Sequence, residues 1–203
     1  MQTIVPSEIS DWFAGRGWRI RRHQTDMLSA SDAGRHSLLV ADTGAGKTLA
    51  GFLPTLAAFA PSRSGGSPPE GLHTLYVSPL KALAHDVQRN LLTPVEEMGL
   101  PITVETRSGD TPSDRKKRQR SKPPNVLLTT PESLSLLLSY PDSLHMFAGL
   151  KRIVIDEVHA FATGKRGDLL ALALSRLQAI APDLQRAALS ATVASPEAFR
   201  EWL

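Results

Sequence analysis

Residues 38–48, Leu-Leu-Val-Ala-Asp-Thr-Gly-Ala-Gly-Lys-Thr, constrain this chain more than any other stretch. A short apolar run enters a turn punctuated by Gly44 and Gly46, and the turn delivers Lys47 and Thr48 into a segment of helical composition. Strand, glycine turn, helix start is the order that a phosphate-binding loop requires. Main-chain N–H groups converge there on a polyphosphate, and the helix dipole adds to the attraction. In such a loop Thr43, Gly44, Ala45 and Gly46 cradle the phosphates. Lys47 reaches the β- and γ-phosphates, and the Thr48 hydroxyl ligates Mg²⁺. Ala41 stands where the strict form of the loop has glycine.

A second strand-terminal motif completes the chemistry. A strand expected over 151–155, apolar at Ile153-Val154-Ile155, runs into Asp156-Glu157-Val158-His159. Hydrolysis of a nucleoside triphosphate needs one carboxylate to hold Mg²⁺ and another to orient and deprotonate the attacking water. Asp156 fits the first role and Glu157 the second. Adjacent acids are common, so the pair gains its meaning from the phosphate loop upstream.

The rest of the chain alternates strands with helices. Strands are expected at 73–78, 102–106, 125–129, 151–155 and 185–189, besides the one before the phosphate loop. Helices are expected at 7–14 with Ser7 as N-cap, at 25–31, 48–60, 81–92, 113–120, 131–139 and 167–181, and from Ser195 onward. In the 167–181 segment Leu170, Leu174, Leu177 and Ala181 fall at helical spacing. Residues 61–69 have loop composition. This alternation specifies an α/β fold, a mostly parallel sheet flanked by helices, with ligands outside the carboxyl ends of the strands. A length of 203 residues suits one domain with a substantial core.

Composition narrows the class. There is no cysteine, which excludes disulfides and thiolate metal sites, and the six histidines show no ligand spacing. No apolar run approaches a membrane span, and no basic-then-apolar leader opens the chain, so a cytoplasmic protein with no membrane partner is expected. The net charge of +3 permits a polyanionic partner without requiring one.

Five further segments turn these pieces into a recognisable set. Ser78-Pro79-Leu80-Lys81-Ala82-Leu83-Ala84 resembles helicase motif Ia, Thr129-Thr130-Pro131-Glu132 resembles motif Ib, and Ser190-Ala191-Thr192 resembles the Ser-Ala-Thr coupling motif. Asp156 to His159 looks like a DExH box, and Gln24 stands where helicase-like ATPases place their adenine reader. The order and spacing are similar to the first RecA-like domain of a superfamily-two DExH-box helicase. Arg107-x-Gly109-Asp110-Thr111 and Lys165-Arg166-Gly167 point to the Lhr type, and Gly51-Phe52-Leu53-Pro54 to its ligase-associated branch.

The resemblance implies an ATP- and Mg²⁺-dependent 3′-to-5′ translocase or helicase on single-stranded DNA, preferred over RNA, in DNA repair. A ligase or nuclease of repair is an implied partner. It also assigns roles. Gln24, with Arg21 or Arg22 against the base, would recognise adenine. Pro79, Leu80, Lys81, Arg107, Gly109, Asp110, Thr130 and Pro131 would hold the sugar–phosphate backbone. His159 would sense the nucleotide, and Ser190 and Thr192 would couple the two sites. Backbone grips of this kind read no sequence, as a motor that steps along any strand requires.

Residues 1–35 are then N-terminal helices carrying the adenine motif, and 36–203 the RecA-like ATP-binding domain. A second RecA-like domain, with its arginine finger, would be a partner in the same polypeptide, and without it the fragment is expected to turn over weakly or not at all. Two other readings fit the same residues: a nucleotide-gated nucleic-acid-binding module and an RNA helicase domain. Residues 115–120 carry a basic run that either extends the nucleic-acid surface or forms a solvated helix face. Lys165 and Arg166 either touch nucleic acid or are plain surface charge. Trp12, Trp18 and Trp202 read as packing residues.

Overall fold

Strands that are apolar along their whole length are buried on both faces, and the computed structural model bears this out. It describes residues 5–42, 44–65, 67–79, 87, 91–161 and 164–191. β2 (Thr74–Val77), β4 (Val126–Thr129) and β5 (Arg152–Ile155) are buried at every position. They form the middle of a six-stranded sheet. Across it the order is β1 (Ser37–Val40), β6 (Gln185–Ser190), β5, β2, β4 and β3 (Val104–Arg107), and every pairing is parallel. The two edge strands are only partly buried, consistent with helices covering both faces of the central strands.

Period-two alternation sends side chains to two separate cores. Tyr76, Leu128, Val154 and Leu189 point to one face. There they meet α1 (Ser7–Gly15), α2 (Arg22–Asp32), α3 (Lys47–Phe59) and a helix over residues 91–97 (α5), through Ile9, Leu28, Phe52, Phe59 and Val95. Leu75, Leu127, Ile153 and Ile155 point to the other. They pack on α7 (Pro131–Ser139), α8 (Ser143–Phe147) and α9 (Lys165–Ile180). The four positions expected from the spacing in α9, Leu170, Leu174, Leu177 and Ala181, are all buried.

The ends of elements differ from the sequence reading in instructive ways. Pro6, not Ser7, is the N-cap of α1, and the Ser7 hydroxyl faces the Glu8 carboxylate instead. The segment 61–69 contains a helical turn, α4 (Pro61–Ser64), begun by a proline whose missing N–H costs nothing at that position. It is tied to α1 where Ser62 N and Oγ donate to Glu8 at 2.8 and 2.6 Å. α8 and a 3₁₀ turn at Val158–Phe161 were not anticipated. The helix expected at 81–92 lies outside the described residues except for Val87, 91 and 92; helical residues continue to 97. The helix expected from Ser195 also lies outside them, as does Trp202.

At the amino edge of the sheet Arg152 is buried, donating to Ser31 Oγ and to Gln185 Oε1 at 2.7 Å. Burial pulls its pKa down to about 10. These bonds fasten α2 to β5 and β6, and so fix the helix that carries Gln24 against the sheet. Among the described residues no helix is long and apolar enough to cross a membrane.

Candidate functional site

All six strands run parallel, so their carboxyl ends share one edge. The strand order places β6 between β1 and β5, and the loops after β1 and β5 face each other across it. Such a crevice is where ligands sit in open α/β sheets. The loop after β1 turns through Gly44 and Gly46, both at positive φ (81° and 78°). Gly46 is the N-cap of α3, and a Cβ there would lie 3.2 Å from Gln24 Nε2. Glycine therefore serves twice, by conformation and by close approach. Lys47, the first residue of α3, is buried, and its Nζ donates to the Ala41 and Asp42 carbonyls at 2.6 and 3.0 Å. An ammonium has three donors, so these bonds steady the side chain and leave one for a phosphate.

Across the crevice Asp156 follows β5 directly and is buried. One oxygen accepts from the Tyr76 hydroxyl and the other from Glu157 N at 3.0 Å. Burial raises the Asp156 pKa, against the Tyr76 hydrogen bond, which lowers it. Tyr76 is fully buried and stacked on Phe52 of α3, with ring centroids 5.0 Å apart. The phenol is thus held rigidly under the carboxylate. Burial, first, and the Asp156 charge raise the Tyr76 pKa well above its ordinary value, so it stays a donor.

Glu157 is, among the described residues, the non-glycine at positive φ (48°). That conformation costs on the order of 1–3 kcal/mol and is characteristic of functional turns. Its Oε2 is buried without a hydrogen bond and lies 3.4 Å from His159 Nδ1. His159 Nδ1 is 2.9 Å from the Ser190 hydroxyl at the end of β6. The DExH turn and the Ser-Ala-Thr segment are therefore in direct contact through His159. Thr192 and Thr43 lie outside the described residues.

These groups line a cavity of about 550 Å³. Gly44, Gly46, Lys47, Thr48, Asp156 and Glu157 line it, together with Trp12, Arg16, Trp18 and Phe52. Trp12 and Trp18 meet edge to face at 5.7 Å, with the Arg16 guanidinium about 5 Å from both rings. Trp12 packs on the core as a packing residue should, while Trp18 is half exposed and lines the cavity. Arg16 and Trp12 both donate to Glu97 of α5, at 2.5 and 2.7 Å. Gln24 is not part of the cavity wall. Its Oε1 accepts from Arg21 N at 2.9 Å, and its amide lies against Gly46 with Arg21 Nη1 nearby.

A polyphosphate with Mg²⁺ suits the donors of this cavity. Loop N–H groups and a lysine face a paired carboxylate set, in which the Glu157 carboxylate lies beside His159.

The residues expected to grip nucleic acid distribute differently. Gly109 and Asp110 are exposed after β3. Leu80 and Lys81 lie outside the described residues. Arg107 is a correction: it is buried, with Nη1 donating to the Lys116 carbonyl at 2.8 Å. It fastens α6 (Ser113–Ser121) over the end of β3 rather than facing solvent, and burial lowers its pKa. The side chains of Thr130, Pro131 and Pro79 are likewise buried. The Thr130 hydroxyl caps α7 by accepting from Ser133 N, so what it presents outward is the helix start, not a free hydroxyl.

The basic run on α6 resolves into internal partners. Arg115 and Arg118 bond Glu105 at 3.3 and 2.8 Å, and Lys116 donates to the Gly109 carbonyl at 2.7 Å. The Arg120 guanidinium lies 3.8 Å from the centre of the Tyr140 ring.

Comparison with known proteins places this geometry. The family model described as DEAD/DEAH box helicase matches residues 21–199. Over 95% of its length the chain is 44% identical to the Lhr helicase and probable uracil glycosylase of Mycolicibacterium smegmatis, of which it covers 13%. The structure of Mycobacterium smegmatis Lhr bound to ssDNA and AMP-PNP superposes with a TM-score of 0.85 at 42% identity, over 95% of this chain and 25% of that one. The DUF1998 helicase MrfA bound to DNA and AMPPNP superposes at 0.84 with 30% identity, over 98% and 28%. The chain thus spans an eighth to about a quarter of the relatives it matches. With the model covering nearly its whole length and the RecA-like sheet in place, the chain belongs to the DEAD/DEAH box helicase family.

Proposed function

We propose that this chain is the ATP-binding, first RecA-like domain of a helicase or translocase that moves on single-stranded DNA, 3′ to 5′, in DNA repair. The observation that carries the reading is the convergence of Lys47, Asp156 and Glu157 on one cavity. Similarity to Lhr and MrfA, both solved with DNA and a nucleotide analogue, supports the substrate class.

In this reading the triphosphate lies on the N–H groups of residues 44–46, and Lys47 turns its free donor to the β- and γ-phosphates. Thr48 and Asp156 hold Mg²⁺, which offsets charge developing on the phosphoryl oxygens. Glu157 orients a water and accepts its proton as the oxygen attacks the γ-phosphorus. The bond to the bridging oxygen breaks, leaving ADP and phosphate. Trp12, Trp18 and Arg16 offer a planar, cationic wall to the base, and Gln24 and Arg21 act from behind Gly46. His159 and Ser190, in contact, carry the change at the γ-phosphate toward β6. Residues 1–35 supply the adenine side and 36–203 the RecA-like body.

A second RecA-like domain would supply the arginine finger, which is worth about 10³–10⁵ in rate, so this chain by itself binds nucleotide far better than it hydrolyses it. The test is AMP-PNP·Mg²⁺ binding to this chain by calorimetry, and ATP turnover by the polypeptide that joins it to a second RecA-like domain, with and without single-stranded DNA or RNA, beside Lys47→Ala. Binding abolished by Lys47→Ala, with DNA the stimulating strand, is expected. Nucleotide binding indifferent to Lys47, or stimulation by RNA alone, overturns the assignment.

A further inference from the structure

Arg166 is the second residue of α9, and nothing in the reaction scheme uses it. Its position is unusual. Nε donates to Glu132 Oε1 at 2.6 Å and Nη2 to Glu132 Oε2 at 3.3 Å, a forked pair with the first turn of α7. The same Nη2 donates to the Pro79 carbonyl at 2.8 Å, at the end of β2. Its guanidinium also lies 5.8 Å from the centre of the Phe161 ring, in the 3₁₀ turn that follows the DExH residues. One planar cation thus bonds two segments far apart in sequence and touches a third. Only a guanidinium has the donors and rigid geometry for this; a lysine would satisfy one partner at a time.

The backbone beneath it is fixed as well. A Cβ on Gly167 would sit 2.1 Å from the Phe161 carbonyl oxygen, so the start of α9 rests directly on the 3₁₀ turn. Movement of the turn that carries Glu157 and His159 would reach Arg166 through this contact, without an intervening flexible segment.

We propose that Arg166 is a positioning residue, which sets the spacing between the end of β2 and the start of α7 and links that spacing to the DExH turn. These are the two segments expected to hold the backbone of a bound strand, so the proposal rests on the nucleic-acid reading above. In this view Arg166 acts through the protein, because its Nε and Nη2 are committed to Glu132 and to the Pro79 carbonyl.

The test uses the wild type, Arg166→Met, Arg166→Lys, Glu132→Gln and the Arg166→Met/Glu132→Gln pair. It measures affinity for a fluorescent oligo-dT in the presence of AMP-PNP·Mg²⁺, affinity for AMP-PNP·Mg²⁺, and hydrogen exchange at residues 130–134. Arg166→Met is expected to weaken oligo-dT binding about tenfold and to speed exchange at 130–134, while nucleotide affinity stays within twofold. Arg166→Lys should fall between, and the double variant should be no worse than Arg166→Met. A general loss of structure would lower nucleotide affinity equally, which would overturn the proposal, as would unchanged exchange together with unchanged DNA binding. Should the wild type itself not bind oligo-dT while exchange at 130–134 still responds to Arg166→Met, the clamp stands and the nucleic-acid reading fails.

Discussion

The nucleotide crevice and the proposed nucleic-acid face are built from the same sheet edge, yet they treat polar side chains in opposite ways. In the crevice, Glu157 keeps a buried carboxylate oxygen without a hydrogen bond, Lys47 leans on main-chain carbonyls, and Trp18 stands half exposed. At the ends of β2, β3 and β4, side chains of matching chemistry are bonded to the protein itself: Arg107 buried under α6, Thr130 in its helix cap, and the half-exposed Arg166 on Glu132 and Pro79. The contrast follows from the tasks. A hydrolytic site must aim side chains at one phosphorus atom. A surface that grips any sequence needs a regular main chain, and side chains serve to hold that main chain in place.

The comparison breaks first if the crevice groups do not act as chemistry. Glu157→Gln keeps size and shape and removes the proton acceptor. Turnover should fall about 10²–10⁴-fold with AMP-PNP binding nearly unchanged, as steady-state assays beside calorimetry would show. A matching loss of binding would mean Glu157 holds the turn instead.

The amino edge offers a contrast in acid response. His73, at the start of β2, is buried against Phe59, and burial, ahead of the nearby Arg152 and Lys151 charges, lowers its pKa to about 4. The folded protein keeps it neutral while the unfolded chain protonates near 6.5. Its stability contribution is therefore complete above about pH 6.5 and is lost as pH falls toward about 4, up to ~3 kcal/mol in all. Urea unfolding at pH 7 and pH 4.5 checks this, and His73→Asn should flatten the difference. An unaltered profile in the variant would place the acid-sensitive group elsewhere.

The crevice should answer acid by function before stability. Asp156 binds a cation only when ionised, and burial already raises its pKa. Tyr76→Phe removes the donor that opposes this, so the pKa should rise further. Mg²⁺-dependent AMP-PNP binding should weaken about tenfold, in line with about 1.5 kcal/mol for a hydrogen bond to a charged group, and more at pH 6 than at pH 8. Equal loss at both pH values would mean that Tyr76 only packs.

These cases also show what the sequence discloses. The phosphate loop and Asp156-Glu157 are legible because residue type and local order alone encode them, and the parallel sheet follows from the alternation of elements. Tyr76 was missed because its contact arises only when β2 pairs with β5 in the register Tyr76↔Val154, eighty residues apart. Arg107 was misplaced for a related reason. Its motif names the residue, but whether it faces outward depends on α6 folding across the end of β3, which no local spacing records. Gln24 is named by its place before the phosphate loop, yet that its amide packs on Gly46 depends on α2 docking on α3.

The smallest predicted effect tests the nucleic-acid face where sequence alone would look first. Six residues, Arg115-Lys116-Lys117-Arg118-Gln119-Arg120, read either as an extension of the nucleic-acid surface or as a solvated helix face. Glu105 instead gathers Arg115, Arg118 and Gln119, and its pKa is lowered because hydrogen bonds from Gln119 and the two arginines outweigh the cost of its burial. A guanidinium already paired with a carboxylate contributes little net field at a phosphate several ångströms away, and salt screens what remains. Arg118→Gln and Arg115→Gln should therefore leave oligo-dT affinity within about twofold and the salt dependence of binding almost unchanged, since a lost phosphate contact would reduce that slope by about one. A tenfold loss with a shallower slope would mean that the pairs open on binding and that α6 belongs to the gripping surface after all.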